Sequence, residues 1–256
     1  KLAERVSADS AQEPSTTSKP VSEHSLLKTL NNTKAEMKER QAALIGLKAL
    51  TFASPSYADW RTDFLNALRE IVSNEGKTPL AFPALETLAQ EKDEWALAKL
   101  EAILREPRGG VVSALDALRL LAYDDHGSHF DVLREIAPNQ QKGQKIRLGA
   151  IRQLGADPSA TPILATIVQD QAEDPLIRRQ ALAALRHADR TRYDSLANTL
   201  LNDDSENEQV RAQYITALKV DGASPAVENT LRKVQTESSS EIVRAASESY
   251  FKQSSS

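Results

Sequence analysis

The chain has 256 residues, of which 32 are lysine or arginine and 36 are aspartate or glutamate, giving a net charge of −4 at pH 7. An acidic chain argues against non-specific nucleic-acid binding, because the neutralisation of phosphates needs an excess of cations. The absence of cysteine excludes disulfides, thiolate catalysis and cysteine-ligated zinc. No apolar run approaches the roughly 18 residues that a membrane span requires.

The N-terminal segment, residues 1–22, is rich in serine, threonine, proline and charge and has no apolar periodicity. This composition predicts a disordered tail or linker. Such a linker is compatible with an anchor or another domain on its N-terminal side. Together with the lack of cysteine, it favours an extracytoplasmic location, periplasmic or anchored, over a cytoplasmic one. At the other end, residues 254–256 predict a short polar fray.

Residues 23–253 have the composition of helices, with much alanine, leucine, glutamate and arginine, and only 9 glycines in the whole chain. A first long helix is predicted from about Tyr57 to Val72, followed by a loop at 73–79. Further along, short helical segments begin at Thr161-Pro162, Asp174-Pro175 and Ser224-Pro225. In each pair a capping residue precedes a proline at the first helical position.

A nine-residue motif recurs along this region at a spacing of about 33 residues. Its seven copies are 39–47, 80–88, 113–121, 146–154, 177–185, 210–218 and 243–251. Motif positions one, five, six and nine lie within about 140° on a helical wheel and predict one buried stripe. A second helical pattern lies between successive copies. The repeating unit is therefore predicted to be a helical hairpin, present about seven times.

The pattern apolar-Arg-x-x-Ala-x-x-x-Leu, often preceded by Asp-Pro as in 174–178, resembles HEAT repeats of the short bacterial or phycobilisome-lyase type. The similarity is strong in the last four units and weaker in the first three, and in the second and third units Ala81 and Ala114 replace the arginine. It implies an all-α, right-handed superhelical solenoid whose motif helices line the concave wall. It also implies that the arginine at position two pairs with an acid or a carbonyl of a neighbouring repeat. The marks of tetratricopeptide repeats do not recur.

The sequence contains none of the common nucleophile, phosphate-binding or dinucleotide-binding motifs. Di-iron hydroxylases with HEAT-like folds use repeated His-Glu pairs, and this chain has no His-Glu dipeptide. We therefore expect a protein that is not an enzyme and needs no cofactor, and that acts as a scaffold or adaptor for a partner protein. The alternative is a bilin-lyase-like accessory enzyme or chaperone of the same repeat family.

One loop carries enough imidazole and carboxylate groups to be weighed as a metal site. Its candidate ligands are Asp124, Asp125, His126, His129 and Asp131. The cluster occurs once and has no repeated counterpart, so we favour a polar inter-helix loop in which Gly127 turns the chain and Ser128 caps the next helix.

Charge is unevenly distributed along the chain, with a local excess of four cations in 141–192 between two regions of net negative charge. Motif positions three, seven and ten, and the residue before position one, should point away from the core. We predict that the basic residues at these positions form a strip on the concave side that binds an acidic segment of a partner protein. The predicted strip consists of Arg119, Lys145, Arg152, Arg179, Arg186 and Lys219. The opposing interpretation is a solvated surface neutralised by Asp170, Glu173 and Asp174.

Overall fold

The computed structural model describes residues 22–107 and 110–254, and in these ranges all regular secondary structure is helical. The predicted tail at 1–22 falls outside them except for Ser22, which caps the first helix, and so do residues 255 and 256. The α-helices are α1 Glu23–Asn31, α2 Met37–Ala53, α3 Tyr57–Asn74, α4 Ala81–Gln90, α5 Glu94–Arg105, α6 Ala114–Leu121, α7 Phe130–Ile136, α8 Gln144–Leu154, α9 Thr161–Gln169, α10 Pro175–Ala188, α11 Arg190–Asn202, α12 Glu208–Asp221, α13 Pro225–Glu237 and α14 Glu241–Ser254.

Consecutive helices pair into seven hairpins, from α1–α2 to α13–α14. Each nonapeptide motif lies at or within the second helix of its hairpin, and we call the even-numbered helices the second helices. From α4 onward, every second helix packs against the next one along the chain. The all-α fold and the number of hairpins are as predicted, and stacking buries faces that one hairpin would leave exposed. The hand and the curvature of the superhelix stay predictions.

The predicted stripe is the core of the molecule. The residues that close the first six motifs are fully buried or nearly so: Leu47, Leu88, Leu121, Leu154, Leu185 and Leu218. Small side chains at motif position five, such as Ala117 and Ala150, are fully buried between neighbouring helices. In the last hairpin Glu248 is exposed at position six and Phe251 is only half-buried, so the stripe weakens there.

The helix starts follow the capping chemistry in two of the three predicted cases. The Asp174 carboxylate accepts hydrogen bonds from the backbone of α10, and the Ser224 hydroxyl accepts one from α13. The third prediction is wrong: Thr161 is the first residue of α9, not its cap. A single 3₁₀ turn, Pro158–Ala160, precedes it, and the Asp157 carboxylate caps this turn instead. None of the helices in the described ranges is long and apolar enough to cross a bilayer.

Candidate functional site: the exposed face of the second helices

Buried arginines connect three of the hairpins to the hairpin that follows. Arg178 donates from Nε to the Val168 carbonyl at 2.9 Å and from its two Nη atoms to the carboxylate of Glu206 at 2.6 and 2.5 Å. The carbonyl ends the first helix of the same hairpin, and the glutamate precedes the second helix of the following hairpin. We call this set of an arginine, a carbonyl ten residues earlier and a glutamate of the next hairpin a rung.

Two further rungs have the same geometry. Arg147 binds the Ala137 carbonyl at 3.0 Å and Glu173, while Arg40 binds the Leu30 carbonyl at 2.9 Å and Glu75 at 2.7 Å. The hydrogen bond from Arg147 holds the pKa of Glu173 below its usual value and outweighs the effect of burial. The predicted structural role of these arginines is confirmed. They are buried and unavailable to a partner.

The third hairpin lacks the arginine and uses a different cation. Ala114 occupies the arginine position, and the carbonyl ten residues earlier belongs to Leu104. Lys142 donates from Nζ to this carbonyl and to that of Arg105, both at 2.8 Å. Lys142 precedes Arg147 by five residues, as Glu173 precedes Arg178. A cation from the fourth hairpin therefore satisfies the carbonyl that an arginine satisfies elsewhere.

The six residues of the predicted strip all lie on second helices, at exposed or half-buried positions. Lys145 and Arg152 on α8 are exposed and form no ion pair with any residue in the described ranges. Arg119 on α6 forms an ion pair with Asp116 at 2.5 Å. Arg179 on α10 donates to Gln213 on α12 at 3.2 Å, and Lys219 on α12 donates to Ser249 on α14 at 2.6 Å. Arg186 lies half-buried near the end of α10.

The acids that could have neutralised this strip are engaged elsewhere. Glu173 is buried against Arg147. Asp174 caps α10 and accepts a hydrogen bond from Gln144. Asp170 accepts a hydrogen bond from the backbone of Ala172. Only the contact of Glu173 is an ion pair and removes a charge that could neutralise the strip, whereas Asp170 and Asp174 are exposed and bind neutral donors.

Exposed apolar side chains lie on the same side of the second helices, a feature that the sequence reasoning missed. Their positions relative to the motif are zero, three, seven, eleven and fourteen, which fall within an arc of about 80° at 100° per residue. They are Ile45 and Phe52 on α2, Leu115 on α6, Tyr123 just after α6, Leu176 on α10, Val220 on α12 and Ile242 on α14. In the described ranges the one other exposed large hydrophobic residue is Trp95, at the start of α5, the first helix of the third hairpin. The signal was available in the sequence as apolar residues on the side opposite the stripe.

We call motif positions zero, three, seven, ten and eleven, taken over all seven second helices, the motif-helix face. Within the described ranges this face carries nine lysines and arginines and a single acid. The acid is Glu86, whose carboxylate lies 3.3 Å from Lys48 of the preceding second helix. Three cations add to the predicted strip: Lys38, Lys48 and Lys252. The face is therefore apolar and positively charged, although the whole chain is acidic.

The loop considered as a metal site has another structure. Asp124 is buried and accepts hydrogen bonds from the backbone of His126, from Ser128 and from His129 Nδ1 at 3.1 Å. Burial alone would raise the pKa of Asp124, but these hydrogen bonds outweigh it and lower the pKa to about 2. The prediction that Ser128 caps the next helix is wrong: the residue before α7 is His129, no side chain caps that helix, and the Ser128 hydroxyl donates to Asp124 instead.

The other candidate ligands of this loop point to different partners. Asp125 forms an ion pair with Lys92 at 2.5 Å, and Asp131 forms one with Arg134. In the described part of the chain, no group of three or more histidines or acids is arranged to hold a metal ion.

No protein-family model and no curated protein matches the chain. The structure of human deoxyhypusine hydroxylase in complex with glycerol matches with 18% sequence identity and a TM-score of 0.41, covering 90% of this chain and 95% of that one.

This match corrects one expectation from the sequence. We expected a protein that is not an enzyme, and the matched structure is that of an enzyme. The absence of catalysis is therefore no longer maintained for this chain. With 18% identity and a TM-score of 0.41, the match assigns no activity or active-site residue to it.

Proposed function

We propose that the motif-helix face binds a segment of a partner protein that is acidic and carries apolar side chains. The observation that supports this proposal is the coincidence of exposed hydrophobic residues and cations on one side of the second helices. Exposed apolar side chains that are flanked by polar and charged residues are typical of protein–protein interaction sites.

The two kinds of residue have different tasks in such an interface. The row of cations attracts an acidic segment from a distance and sets its orientation, which raises the association rate. Apolar side chains such as Leu115, Leu176 and Ile242 supply affinity through the burial of apolar surface. Because Lys145 and Arg152 have no ion pair within the described chain, a partner's carboxylates need not displace an internal one.

The proposal can be tested with a defined probe. A synthetic helical peptide of about 20 residues with glutamates and leucines on one face is titrated against the fluorescently labelled protein at several salt concentrations. A peptide with lysines in place of the glutamates serves as the probe of opposite charge. We expect the acidic peptide to bind, the basic peptide not to bind, and the affinity of the acidic peptide to fall as salt is added.

Charge reversal then locates the binding surface. Arg152→Glu combined with Arg179→Glu should weaken binding at least tenfold and flatten its salt dependence, with little change in Tm. The matched control reverses two exposed cations of first helices, Lys28 on α1 and Arg192 on α11. Equal affinity in the two double variants would exclude the motif-helix face as the binding surface.

The alternative predicted from the sequence, a bilin-lyase-like accessory enzyme or chaperone, differs in a visible property. Protein purified from its native host would carry a pigment and absorb visible light. A colourless protein that binds the acidic peptide through Arg152 and Arg179 would favour partner binding.

A further inference from the structure

The row of rungs is incomplete between the sixth and seventh hairpins. Arg211 occupies the same motif position as Arg147 and Arg178 and is just as deeply buried. The residue five places before the next motif arginine, Arg244, is Ser239, where the two preceding hairpins have glutamate. Ser239 offers no carboxylate, and within the described ranges the ion pair of Arg211 is with Asp204 of its own hairpin.

The missing glutamate leaves the guanidinium of Arg211 only partly satisfied. Its Nη2 donates to the Leu201 carbonyl at 2.8 Å and contacts the carboxylate of Asp204 at 3.0 Å. Its Nε is buried without a hydrogen-bond partner, and its Nη1 forms no hydrogen bond with any residue of the described ranges. In Arg178, by contrast, Nε and both Nη atoms donate. A buried donor left unsatisfied costs free energy of unfolding.

A small cavity lies beside this guanidinium. Its volume is about 90 Å³, and its lining includes four residues with hydrogen-bond donors: Asn202, Arg211, Lys233 and Ser238. A cavity of this size exceeds the roughly 10–15 Å³ that one water needs and has room for a small oxyanion. Two acids also line it: Asp204 pairs with Arg211 at 3.0 Å, and the carboxylate of Glu237 lies 4.0 Å from Nζ of Lys233. Both carboxylates are largely exposed, so water screens their charges more than it screens the charge of the buried Arg211.

We propose that this cavity is a binding site for a small oxyanion, a phosphate or a carboxylate group, which takes the place of the missing glutamate. The oxyanion accepts a hydrogen bond from Nη1 of Arg211, and Lys233, whose ammonium lies 4.0 Å from the carboxylate of Glu237, adds a second positive charge. By occupying this position it connects the sixth hairpin to the seventh, as Glu206 connects the fifth to the sixth. The site is distinct from the motif-helix face and does not depend on the function proposed for that face.

The test compares the thermal stability of the wild type with that of Ser239→Glu. Inorganic phosphate or acetate is added to the whole protein at constant pH and ionic strength, with chloride as the reference anion. Phosphate or acetate should raise the Tm of the wild type in a saturable way. Ser239→Glu should raise the Tm by about 2–4 °C without added anion, because the new carboxylate forms the missing rung. The same variant should lose the response to phosphate and acetate.

Ser239→Gln is the matched control, since it has the size of glutamate without the charge. This variant should keep the anion response of the wild type and show no comparable gain in Tm. The proposal is overturned if Ser239→Glu responds to the anions as the wild type does. A wild type that gives the same Tm in all three anions overturns it as well. Phosphate acting at lower concentration than acetate, or the reverse, identifies which oxyanion the site prefers.

Discussion

The ammonium group of Lys142 lies 2.8 Å from the carbonyl oxygen of Leu104. In hairpins with the motif arginine, the corresponding carbonyl accepts a hydrogen bond from that arginine, but here the position is occupied by Ala114. The third hairpin is thus connected to the fourth by a cation of the fourth, Lys142. The fourth is connected to the fifth by an anion of the fifth, Glu173. One polar connection between neighbouring hairpins can be built with the charges placed either way.

This exchange can be reversed by mutation. Lys142→Glu alone should destabilise the protein by about 1–3 kcal/mol, because the Leu104 and Arg105 carbonyls lose their donor. Adding Ala114→Arg should recover most of that loss, since the pair then matches Arg147 and Glu173. Chemical denaturation of the two single variants and the double variant gives the coupling free energy. Additive effects would show that the two positions do not belong to one rung.

The rung between Arg178 and Glu206 should be the most costly to break, because both side chains are almost fully buried. Arg178→Ala leaves an unpaired carboxylate in the interior and is expected to cost about 3–5 kcal/mol. Arg119→Ala removes an exposed arginine with its own ion pair and should cost at most about 1 kcal/mol. Urea unfolding measures both. Comparable losses would contradict the structural role assigned to Arg178.

Core packing gives a second comparison of buried and exposed positions. Leu185 closes the fifth motif and is fully buried, so Leu185→Ala should reduce the free energy of unfolding by about 2–5 kcal/mol. Glu248→Ala, at an exposed position of the last motif, should cost far less. If the two variants lose similar stability, the assignment of the last hairpin as the weakly packed end is wrong.

Much of the fold was predictable because periodicity reports directly on burial. The spacing of Leu121, Leu154 and Leu185 located the second helices and the core. Only the arginine of each rung was predictable from the sequence. Glu173 follows a helix, and the polar segment in which it lies has the composition of a solvated loop. Its burial is decided by Arg147, which lies 26 residues away and reaches it only after the hairpins stack. Local pattern carries no information about that contact.

The exposed apolar residues were missed for a related reason. In the sequence, Leu115 and Ile242 fit a helical pattern as well as core residues do, whereas Lys145 and Arg152 are recognisable as surface residues by their charge. The exposure of Leu115 and Ile242 is apparent only when the neighbouring helices are in place. The burial of Asp124 was likewise not predictable from the sequence, because hydrogen bonds within its loop determine which carboxylate is buried.

Asp124 should contribute to the pH dependence of stability. Its pKa is lowered from the ordinary value of 3.8 to about 2 in the folded protein. A group whose pKa is lowered by folding stabilises the fold above its unfolded pKa, and that contribution disappears as the pH falls through the folded pKa. The free energy of unfolding should therefore lose about 2 kcal/mol from this group between about pH 4 and pH 2.

Asp124→Asn should abolish that part of the acid dependence, as measured by urea unfolding at a series of pH values. Asp131→Asn, in the adjoining helix and exposed, should leave the profile near that of the wild type. A wild-type profile retained in Asp124→Asn would assign the acid sensitivity to other carboxylates.

The row of second helices also sets a length for whatever lies along it. Neighbouring packed helices are separated by about 8–10 Å, so the six second helices from α4 to α14 span about 40–50 Å from first axis to last. An extended peptide of about 12–15 residues would cover that distance, whereas an α-helix would need about 27–33 residues. A shorter segment could bind in several equivalent registers along the repeated cations. It would therefore exchange between them by sliding, and only a segment of nearly full length would be held in one register.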